Sequence, residues 1–447
     1  MIKKVLIANR GEIALRIART CRELGIGTVA AHSAADRDSA VVRFADQSVQ
    51  IGPGPAKASY LYVPAVIEAA RTTGADAIHP GYGFLSENPD FAEVCEAEGI
   101  TFVGAPASVM EQLGDKASAR AIMTEAGLPL LPGSRQPLEG DEASALADRI
   151  GYPVILKAVA GGGGRGISVV RDPADFAGAW LRTRTGAQAV FGDDRLYVER
   201  FLDSARHVEI QVLADTHGNV VHLGARDCSL QRRQQKLVEE SPAPELPAEL
   251  LDEMAAAAVR GARAAGYVGA GTFEFLVDRA GGFFFMEVNC RLQVEHPVTE
   301  MVTGVDLVAE QLRVAAGEPL GFGQEDVLPR GVSIECRINA EDPAREFAPA
   351  PGRLTECVLP SGPFVRVDTH VGPGYQVPPL YDSLLAKVIV WAPDRDAAIA
   401  RMRRALAETH VEGPGVATTT EFLSDVLDHP RFRAVEHDTR FLETLTV

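Results

Sequence analysis

The residue types best suited to chemistry are concentrated in the stretch Glu287-Val-Asn-Cys-Arg-Leu-Gln-Val-Glu295. Side chains of an extended chain point alternately to its two faces. The stretch is therefore predicted to have an apolar face and a polar face, the polar one formed by Glu287, Asn289, Arg291, Gln293 and Glu295. Two oxygen donors two residues apart, with Glu274 on the partner strand of a predicted hairpin, suit a hard cation such as Mg²⁺. The plainer alternative is a polar strand face that only meets solvent.

A second polar cluster is basic: Arg232, Arg233 and Lys236 lie close together in a chain whose formal net charge is -17 and whose pI is about 5.1. General nucleic-acid binding relies on a broad cationic surface, so this composition excludes it and the cluster is predicted to meet a small anion. No stretch is long and apolar enough to span a membrane, and charges return at Arg10 and Glu12, too soon for a signal peptide. The six scattered cysteines form no Cys-x-x-Cys pair, which favours reduced thiols and a cytoplasmic protein.

A glycine-rich loop, Ala160-Gly-Gly-Gly-Gly-Arg-Gly166, stands between predicted strands at 153–157 and 167–170. A dinucleotide fold needs such glycines between a strand and a helix, and a Walker A loop needs Gly-Lys-Ser/Thr; neither fits. Strands on both sides favour a hairpin whose backbone N–H groups close over phosphates, with Lys157 at the end of the incoming strand. A plain surface turn is the alternative. The missing His-Arg-Asp and Asp-Phe-Gly sequences exclude a protein kinase.

The order of the predicted elements divides the chain into three regions. Residues 1–114 alternate buried strands with amphipathic helices, which is typical of a doubly wound parallel sheet. Residues 115–330 contain two predicted hairpins, 207–230 and 272–289, among helices without a βαβ rhythm, and residues 331–447 begin with another strand. The predicted fold class is therefore α/β followed by α+β. Polar residues also alternate along 207–211 and along 333–337, where a solvated face is the usual explanation.

Together these residues resemble the biotin carboxylase family of the ATP-grasp superfamily, and the similarity runs nearly from end to end. Besides the glycine loop and residues 287–300, the matching motifs are Ile7-Ala-Asn-Arg-Gly-Glu-Ile-Ala14, His79-Pro-Gly-Tyr-Gly-Phe-Leu-Ser-Glu-Asn88, Gly114-Asp-Lys116, His207-Val-Glu-Ile-Gln211, Arg226-Asp-Cys-Ser229, Gln231-Arg-Arg233, Glu335-Cys-Arg-Ile-Asn-Ala-Glu-Asp342 and Tyr381-Asp-Ser383. Glu-His-Pro-Val-Thr-Glu at 295–300 is the specific one, whereas the glycine loop is generic.

The resemblance implies an ATP-grasp fold in three domains. These are an N-terminal biotin carboxylase domain at 1–114 that is Rossmann-like, an ATP-grasp domain at 115–330 with a mobile glycine-loop lid at about 131–204, and a C-terminal mixed α/β biotin carboxylase domain at 331–447. It also implies a reaction that joins bicarbonate to N1 of biotin at the expense of ATP, through carboxyphosphate.

The resemblance further assigns roles to individual residues. Mg²⁺ (or Mn²⁺) would be bound by Glu274 and Glu287, with Asn289 supporting them. The nucleotide would be held by Lys116, Lys157, Gly161, Gly162, Gly163, Gly164, Gly166, Glu199, Arg200, Leu202, His207, Gln231 and Gln234. Among these, the two lysines and the glycine loop would hold the phosphates, and Glu199, Arg200, Leu202 and His207 would contact adenine and ribose. The bicarbonate pocket would consist of Lys236, Arg291, Gln293, Val294 and Glu295. Glu295 would deprotonate bicarbonate, Arg337 would stabilise the enolate form of biotin, and Tyr82 would lie near the biotin.

Several positions depart from the family pattern. Gln234 stands where a histidine thought to contact ATP phosphate is usual, and Arg200 stands where a lysine is common. Cys290 replaces a threonine on the predicted apolar face, a change expected to be mild. Ala160 replaces a glycine at the start of the glycine loop and is expected to stiffen it.

The expected partners follow from the same resemblance. No Met-Lys dipeptide of a biotin-bearing domain occurs, so biotin is expected on a separate carrier protein or domain, together with a carboxyltransferase subunit, and the chain is expected to form a homodimer. The first hypothesis is the carboxylase subunit of an acetyl-CoA or propionyl-CoA carboxylase, with fatty acid biosynthesis as its setting. A second is the same half-reaction for pyruvate or another 2-oxo acid. A third is a weakly active nucleotide-binding assembly subunit.

Overall fold

The computed structural model describes residues 2–134, 136–161 and 166–445. Its first region is a five-stranded parallel sheet of order β3-β2-β1-β4-β5. The strands are β1 (Lys4–Ile7), β2 (Gly27–Ser33), β3 (Gln47–Gly52), β4 (Ala77–His79) and β5 (Thr101–Phe102), and the helices are α1 (Gly11–Glu23), α2 (Ala40–Phe44), α3 (Val63–Thr73), α4 (Pro89–Ala97) and α5 (Ala107–Gly114).

Alternate residues of β1 enter two different cores. Val5 and Ile7 pack with α1, whereas Leu6 packs on the other side with residues of α3 and α4. Strand residues point to opposite faces in turn, so both faces of the sheet are covered by helices. The predicted doubly wound sheet is confirmed.

A small antiparallel sheet of order β7-β6-β8 follows, covered on one face by two helices. The elements of this part are α6 (Lys116–Glu125), α7 (Gly140–Ile150), β6 (Val154–Ala158), β7 (Ile167–Val170), α8 (Phe176–Phe191) and β8 (Leu196–Arg200). Strands β6 and β7 pair across the glycine-rich loop, which confirms that it joins two strands rather than a strand and a helix. This three-stranded unit, 140–200, is called the lid below.

The centre of the molecule is an eight-stranded sheet of order β13-β12-β9-β10-β11-β14-β19-β18, with antiparallel pairing throughout. Its strands are β9 (Ala205–Ala214), β10 (Val220–Arg232), β11 (Gln235–Ser241), β12 (Gly269–Asp278), β13 (Phe283–Asn289), β14 (Val332–Asn339), β18 (Val365–Thr369) and β19 (Leu384–Ala392). Both predicted hairpins, β9–β10 and β12–β13, lie in it.

The remaining elements surround this sheet. They are the helices α9 (Ala248–Ala264), α10 (His296–Thr303), α11 (Leu307–Ala315), α12 (Arg395–Ala407), α13 (Thr420–Asp428) and α14 (Pro430–Arg433), and the short strands β15 (Glu341–Asp342), β16 (Ala348–Pro349), β17 (Glu356–Val358) and β20 (His410–Glu412). Within the described ranges, no helix is long and apolar enough to cross a membrane. The six cysteines are all free thiols.

The sheet crosses the predicted border at residue 330. β11, from the second region, pairs with β14, from the third, over four residue pairs from Val238–Cys336 to Ser241–Ser333. The domain limits at 114 and 330 stay a prediction, but the second and third regions share one hydrogen-bonded sheet.

Candidate active site

Two carboxylates face each other on the paired strands β12 and β13. Glu274 and Glu287 are directly opposite in the antiparallel register, so their side chains share one face of the sheet. Asn289 lies on the same face and donates from Nδ2 to Glu274 Oε1 at 2.8 Å. Glu274 is buried, whereas Glu287 is exposed. Oxygen donors of this kind are the ligands that Mg²⁺ prefers, so the set fits the predicted metal.

Glu274 is already balanced by positive charge. His207 Nε2 lies 3.0 Å from Glu274 Oε2, and Lys236 Nζ lies 3.1 Å from Oε1. Burial alone would raise the pKa of this carboxyl group, but Lys236 and His207 hold it well below its usual range. Burial would lower the pKa of His207, and Glu274 raises it above its ordinary value instead. Glu274 is therefore an ionised carboxylate, as a metal ligand must be.

Lys236 is the central cation of the site. Its Nζ lies 2.6 Å from Glu295 Oε1 and 2.7 Å from Glu209 Oε2, in addition to Glu274. Burial alone would lower the pKa of Lys236, but the carboxylates around it raise that pKa well above its ordinary value. The fully buried Arg226 joins the same network, with Nε 2.6 Å from Glu209 Oε1. One ammonium group thus contacts three carboxylates.

Glu295 lies between two cations. Its Oε1 contacts Lys236, its Oε2 lies 2.8 Å from Arg337 Nη2, and its side chain is 1% exposed. Burial alone would raise the pKa of Glu295, but Lys236 and Arg337 hold it well below its usual range. A carboxylate that is ionised and out of bulk water can accept a proton from a small acid that enters beside it.

The polar residues after Asn289 are not arranged as the alternation predicted. β13 ends at Asn289, and residues 290–295 turn into α10, so a single extended polar face over 287–295 is wrong beyond that point. Arg291 organises the turn instead: its Nη2 donates to Asn289 Oδ1 at 3.0 Å and its Nη1 to Gln293 Oε1 at 2.9 Å. Cys290 is buried, as predicted. Hydrogen bonds to a guanidinium group, rather than strand geometry, bring these side chains together.

Glu87 of the first region fixes this turn, and sequence reasoning gave it no role. Its Oε2 accepts from Arg291 Nε at 2.7 Å and its Oε1 from the backbone N–H of Cys290 at 2.9 Å. Burial alone would lower the pKa of Arg291, but Glu87 raises it. The available signal was its place in a loop after a parallel strand, where such sheets bind ligands.

Arg337 projects from β14 towards Glu295 and Glu239. Its Nη2 lies 2.6 Å from Glu239 Oε1, and Glu239 is directly opposite Glu335 in the β11–β14 register. Burial raises the pKa of Glu239 to about 7. Glu335 and Ser333 are fully buried, and Arg337 is half-buried. A merely solvated face at 333–337 is therefore wrong, and so is one at 207–211, where Glu209 is fully buried.

The two lysines predicted to meet phosphates lie in the lid (Lys157) and beside it (Lys116). Lys116 Nζ donates to the carbonyl oxygens of Gly161 and, at 3.2 Å, Ala158. Burial and the neighbouring ammonium group of Lys157 lower the pKa of Lys116. Lys157 itself pairs with Glu199. Two adjacent ammonium groups repel each other until an anion enters, so this pair fits a polyphosphate.

Glu199 holds the lid end of the site together. It pairs with Lys157, and Arg120 Nη1 lies 2.7 Å from its Oε1. Burial alone would raise the pKa of Glu199, but Lys157 and Arg120 lower it. Arg120, on α6, is a second residue that sequence reasoning missed.

The glycine loop is described only at its two ends. Gly162, Gly163 and Gly164 lie outside the described residues. Gly166 has a φ of +76°, and a Cβ there would lie 2.9 Å from the Cβ of Ala158, so both the backbone and the space require glycine. Its carbonyl accepts from Ala158 N–H at 2.8 Å, and Gly161 N–H donates to Ala158 O at 3.1 Å.

Besides Glu199, the predicted adenine and ribose contacts begin at the end of the lid's last strand, β8. Arg200 Nη1 donates to the carbonyl of Ile150 at 3.0 Å, at the end of α7. Leu202 is half-buried in the segment that joins β8 to β9. His207 is buried against Glu274, one of the two carboxylates predicted to bind the metal. The three are spread along one path from the lid to the large sheet.

The basic cluster that the sequence presents as one unit is divided. Lys236 enters the site, but Arg232 donates to the carbonyl of Glu346 at 2.7 Å and lies over the ring of Phe347. Arg233 Nη2 lies 3.5 Å from the carboxylate of Glu346. Gln231 is half-buried in β10, opposite Lys236, and Gln234 is exposed in the β10–β11 turn with a φ of +66°.

Tyr82 lies on the first region's side of the site. Its hydroxyl donates to Glu12, whose Oε1 is also 3.0 Å from Lys387 Nζ. Burial and the carboxylate of Glu12 raise the pKa of Tyr82 well above its ordinary value, so the hydroxyl stays protonated.

Comparison with known proteins identifies the family. The models for the biotin carboxylase N-terminal domain, the ATP-binding domain of the carbamoyl-phosphate synthase L chain and the biotin carboxylase C-terminal domain match residues 1–110, 115–322 and 335–444. Biotin carboxylase 1 of Bacillus subtilis is 53% identical over 449 residues, with 100% of this chain and 99% of that protein covered. The chain belongs to the biotin carboxylase family.

The chain is also similar to a protein named for another carboxylase and to solved structures. One pyruvate carboxylase subunit, from Methanothermobacter thermautotrophicus, is 49% identical, with 99% of this chain and 90% of that protein covered. A biotin carboxylase–β,γ-ATP complex from Campylobacter jejuni has a TM-score of 0.97 at 46% identity, covering 100% and 99% of the two chains. The biotin carboxylase domain dimer of the Hydrogenobacter thermophilus 2-oxoglutarate carboxylase, in complex with MgADP, ADP and bicarbonate, has a TM-score of 0.95 at 47% identity, covering 99% and 97%. The predicted family, ATP-grasp fold and class of ATP-dependent ligase are confirmed.

Proposed function

We propose that this protein carboxylates N1 of biotin with bicarbonate, using ATP and Mg²⁺, and that the biotin arrives on a separate carrier protein or domain. The observation that carries the proposal is the buried carboxylate of Glu295 between Lys236 and Arg337, beside the opposed pair Glu274 and Glu287. A proton acceptor, an anion pocket and a hard-cation site then share one cleft, as the activation of bicarbonate by ATP requires. Membership of the biotin carboxylase family supports the same reaction.

Bicarbonate would bind among Lys236, Arg291, Gln293 and Val294. Lys236 and Arg337 now hold Glu295 ionised and weakly basic. An anion that takes over part of their charge raises the pKa of Glu295, because it loses the partners that stabilise its ionised form. Glu295 thus becomes a stronger base when its substrate is in place.

The deprotonated bicarbonate oxygen would attack the γ-phosphorus of ATP, with ADP leaving. Lys116 and Lys157 would hold the phosphates, and the backbone at Gly161 would approach them closely. Mg²⁺ bound at Glu274 and Glu287 would neutralise charge on the triphosphate. Bringing two anions together is the main cost of this step, and fixed cations lower it.

Carboxyphosphate would then break into CO₂ and phosphate. The phosphate takes the proton from N1 of biotin, and the ureido group, in its enolate form, attacks CO₂ through N1. Arg337 would stabilise the negative oxygen of that enolate once Glu295 has taken the proton of bicarbonate. Tyr82, held by Glu12, would border the biotin on the first region's side.

The test is bicarbonate-dependent ATP hydrolysis, measured as phosphate release with and without free biotin. We expect hydrolysis that requires bicarbonate and that biotin stimulates. The same assay with Glu295→Gln is the control for the site. If biotin has no effect on the wild type and the variant hydrolyses ATP equally well, the proposed reaction is wrong and the assembly-subunit hypothesis gains.

For the final acceptor we infer an acyl-CoA, as in an acetyl-CoA or propionyl-CoA carboxylase. Its support is that relatives similar along nearly their whole length are named biotin carboxylase, with no 2-oxo acid in the name. The similarity to one pyruvate carboxylase subunit, together with that to a 2-oxoglutarate carboxylase domain, favours a 2-oxo acid instead. Transfer of ¹⁴C from bicarbonate to acetyl-CoA, propionyl-CoA, pyruvate or 2-oxoglutarate, in the presence of the co-purified carrier and carboxyltransferase, decides between them.

We also infer a homodimer, on the strength of the dimeric Hydrogenobacter domain. Light scattering during size-exclusion chromatography measures the mass. A mass near that of one 47.7 kDa chain at micromolar concentration would contradict the inference.

A further inference from the structure

Lys387 is a fully buried cation next to the bicarbonate pocket that has no role in the mechanism above. It lies on β19, its side chain is 0% exposed, and its Nζ donates to the backbone carbonyl of Val294 at 2.8 Å. Burying an ammonium group is costly unless it is paired and hydrogen-bonded. Here the hydrogen bond is supplied by the carbonyl of Val294, in the turn that also carries Glu295.

Lys387 is directly opposite Arg337 in the β14–β19 register, so the two cations lie side by side on one face of the sheet. Like charges opposite each other destabilise a sheet unless they are balanced. Arg337 is balanced by the ionised carboxylate of Glu295 and also lies against the carboxyl group of Glu239. The pair contacts consecutive residues of the turn: Arg337 the carboxylate of Glu295, and Lys387 the carbonyl of Val294.

Two carboxylates, Glu12 and Asp368, balance the charge of Lys387. Glu12, on α1 of the first region, has Oε1 3.0 Å from its Nζ, and Asp368, opposite it on β18, has Oδ2 at 3.8 Å. Burial alone would lower the pKa of Lys387, but Glu12, Glu335 and Asp368 raise it. The ammonium group therefore joins the first region, the large sheet and the turn.

The contact fixes a particular peptide plane. The carbonyl of Val294 and the N–H of Glu295 belong to one planar peptide group. Holding that carbonyl sets the direction in which the chain enters Glu295, and with it the position from which the Glu295 side chain leaves the backbone. A side chain held between two buried cations depends on this direction to keep both contacts.

We propose that Lys387 is a positioning residue for the bicarbonate step. Its ammonium group holds the 294–295 peptide so that Val294 and Glu295 are correctly placed to contact bicarbonate. The inference rests on the proposed function, because it concerns the same pocket. The contacts of Lys387 run to the turn, to Glu12 and to Asp368, so its effect is expected on bicarbonate rather than on the nucleotide.

The experiment uses the full chain and three variants. Lys387→Met removes the ammonium group but leaves Glu12 buried without its partner, which endangers folding. The double variant Lys387→Met/Glu12→Gln removes both charges of the pair and keeps the shapes, so it is the more stable test. Glu12→Gln alone retains the contact with Val294 and separates any effect that passes through Tyr82.

A matched control is Arg395→Met/Glu240→Gln. This pair is also largely buried, with Arg395 Nε 2.7 Å from Glu240 Oε2, but it lies away from the turn. The quantities measured are the KM for bicarbonate, the KM for ATP and the Tm. For the double variant we expect a KM for bicarbonate raised about tenfold, the loss of one hydrogen bond to a charged group, with the KM for ATP within about twofold.

A purely structural role would lower the Tm and the active fraction while leaving the KM for bicarbonate at the wild-type value, and that result overturns the inference. Equal increases of both KM values, or an increase in the Arg395/Glu240 control, overturn it too. If the wild type shows no bicarbonate-dependent ATP hydrolysis, the proposed function fails, and the Lys387 inference falls with it. The wild-type rate and the variant's KM thus report separately on the two.

Discussion

The lid and the eight-stranded sheet hold their charged side chains in different ways. In the lid, Lys157 is 26% exposed and pairs with one carboxylate, Glu199, and the nearby Lys116 donates to backbone carbonyls. In the large sheet, Lys236 contacts three carboxylates and Glu295 contacts two cations. The positive charge of the two lysines at the lid is only partly neutralised, so they can bind a multiply charged ligand. In the large sheet, the cations and carboxylates already neutralise one another.

The difference indicates how the two halves divide the proposed reaction. Interlocked buried charges keep their positions because moving one leaves another unpaired. This suits bicarbonate, because so small an anion can make few contacts with which to organise a site. ATP carries enough charge to draw half-exposed lysines away from weak partners, so its subsite needs less preorganisation.

The largest expected effect is on Glu295. Glu295→Gln keeps the shape of the side chain and removes the proton acceptor, so we expect bicarbonate-dependent ATP hydrolysis to fall by roughly 100-fold or more. Steady-state phosphate release checks this, with fluorescent-nucleotide binding as the control for the lid half. A variant that loses nucleotide affinity and activity in equal measure would show that the two halves are not separate.

The second prediction compares a lysine of the large sheet, Lys236, with a lysine of the lid, Lys157. Lys236→Met leaves three buried carboxylates without their common cation, so we expect a loss of about 3–5 kcal/mol in the free energy of unfolding. Lys157→Met leaves Glu199 with Arg120, and we expect a loss below about 1 kcal/mol. Urea unfolding at pH 7 measures both. Similar losses in the two variants would contradict the division between lid and sheet.

The third prediction concerns pH and the carboxyl group of Glu239. Its pKa of about 7 lies above that of the unfolded chain, so the native state retains a proton that the unfolded state releases. Between about pH 4.5 and 7 the unfolded state is increasingly favoured, and stability falls by about 1.4 kcal/mol for each unit by which the native pKa is raised.

Glu239→Gln removes this dependence. The free energy of unfolding of the wild type minus that of the variant is expected to decrease from pH 5 to pH 7 and then to level off. Urea titrations at unit steps of pH give the difference. A difference that increases with pH over this range would mean that Arg337 dominates and Glu239 is ionised.

The smallest effect is expected at Gln234, which is exposed in the β10–β11 turn. Gln234→His restores the residue usual in the family, and we expect a KM for ATP lowered by no more than about threefold, the value of a weak exposed interaction. The KM for bicarbonate should not change. A tenfold gain in kcat would show that the departure at this position limits catalysis.

Local patterns predicted most of the fold. Alternation of apolar residues located both hairpins, and the β-α order located the doubly wound sheet, because burial of one face imposes these periods within a few residues. The pairing of Glu274 with Glu287 followed from the same hairpin. Gly166 and its strands confirmed that the glycine loop joins two strands.

The partners of the charged residues could not be predicted in this way. Glu87 is far from Arg291 in the sequence, and Glu12 is farther still from Lys387, so no periodicity links them. The turn after Asn289 was missed for a related reason. Its conformation is set by the guanidinium group of Arg291, which donates to Asn289, Leu292 and Gln293, and the same sequence would also suit an alternating strand. Resemblance to a family supplied candidate residues but not these contacts.

The continuous sheet across residue 330 limits how the cleft can open. Neighbouring strands lie about 4.8 Å apart, and Lys236 and Arg337 project from the adjacent strands β11 and β14. The two cations that flank Glu295 therefore come from neighbouring strands of one sheet, which are joined by the pairs from Val238–Cys336 to Ser241–Ser333. Moving the two strands apart would break this pairing, so we expect any widening of the cleft to come from elements outside the sheet.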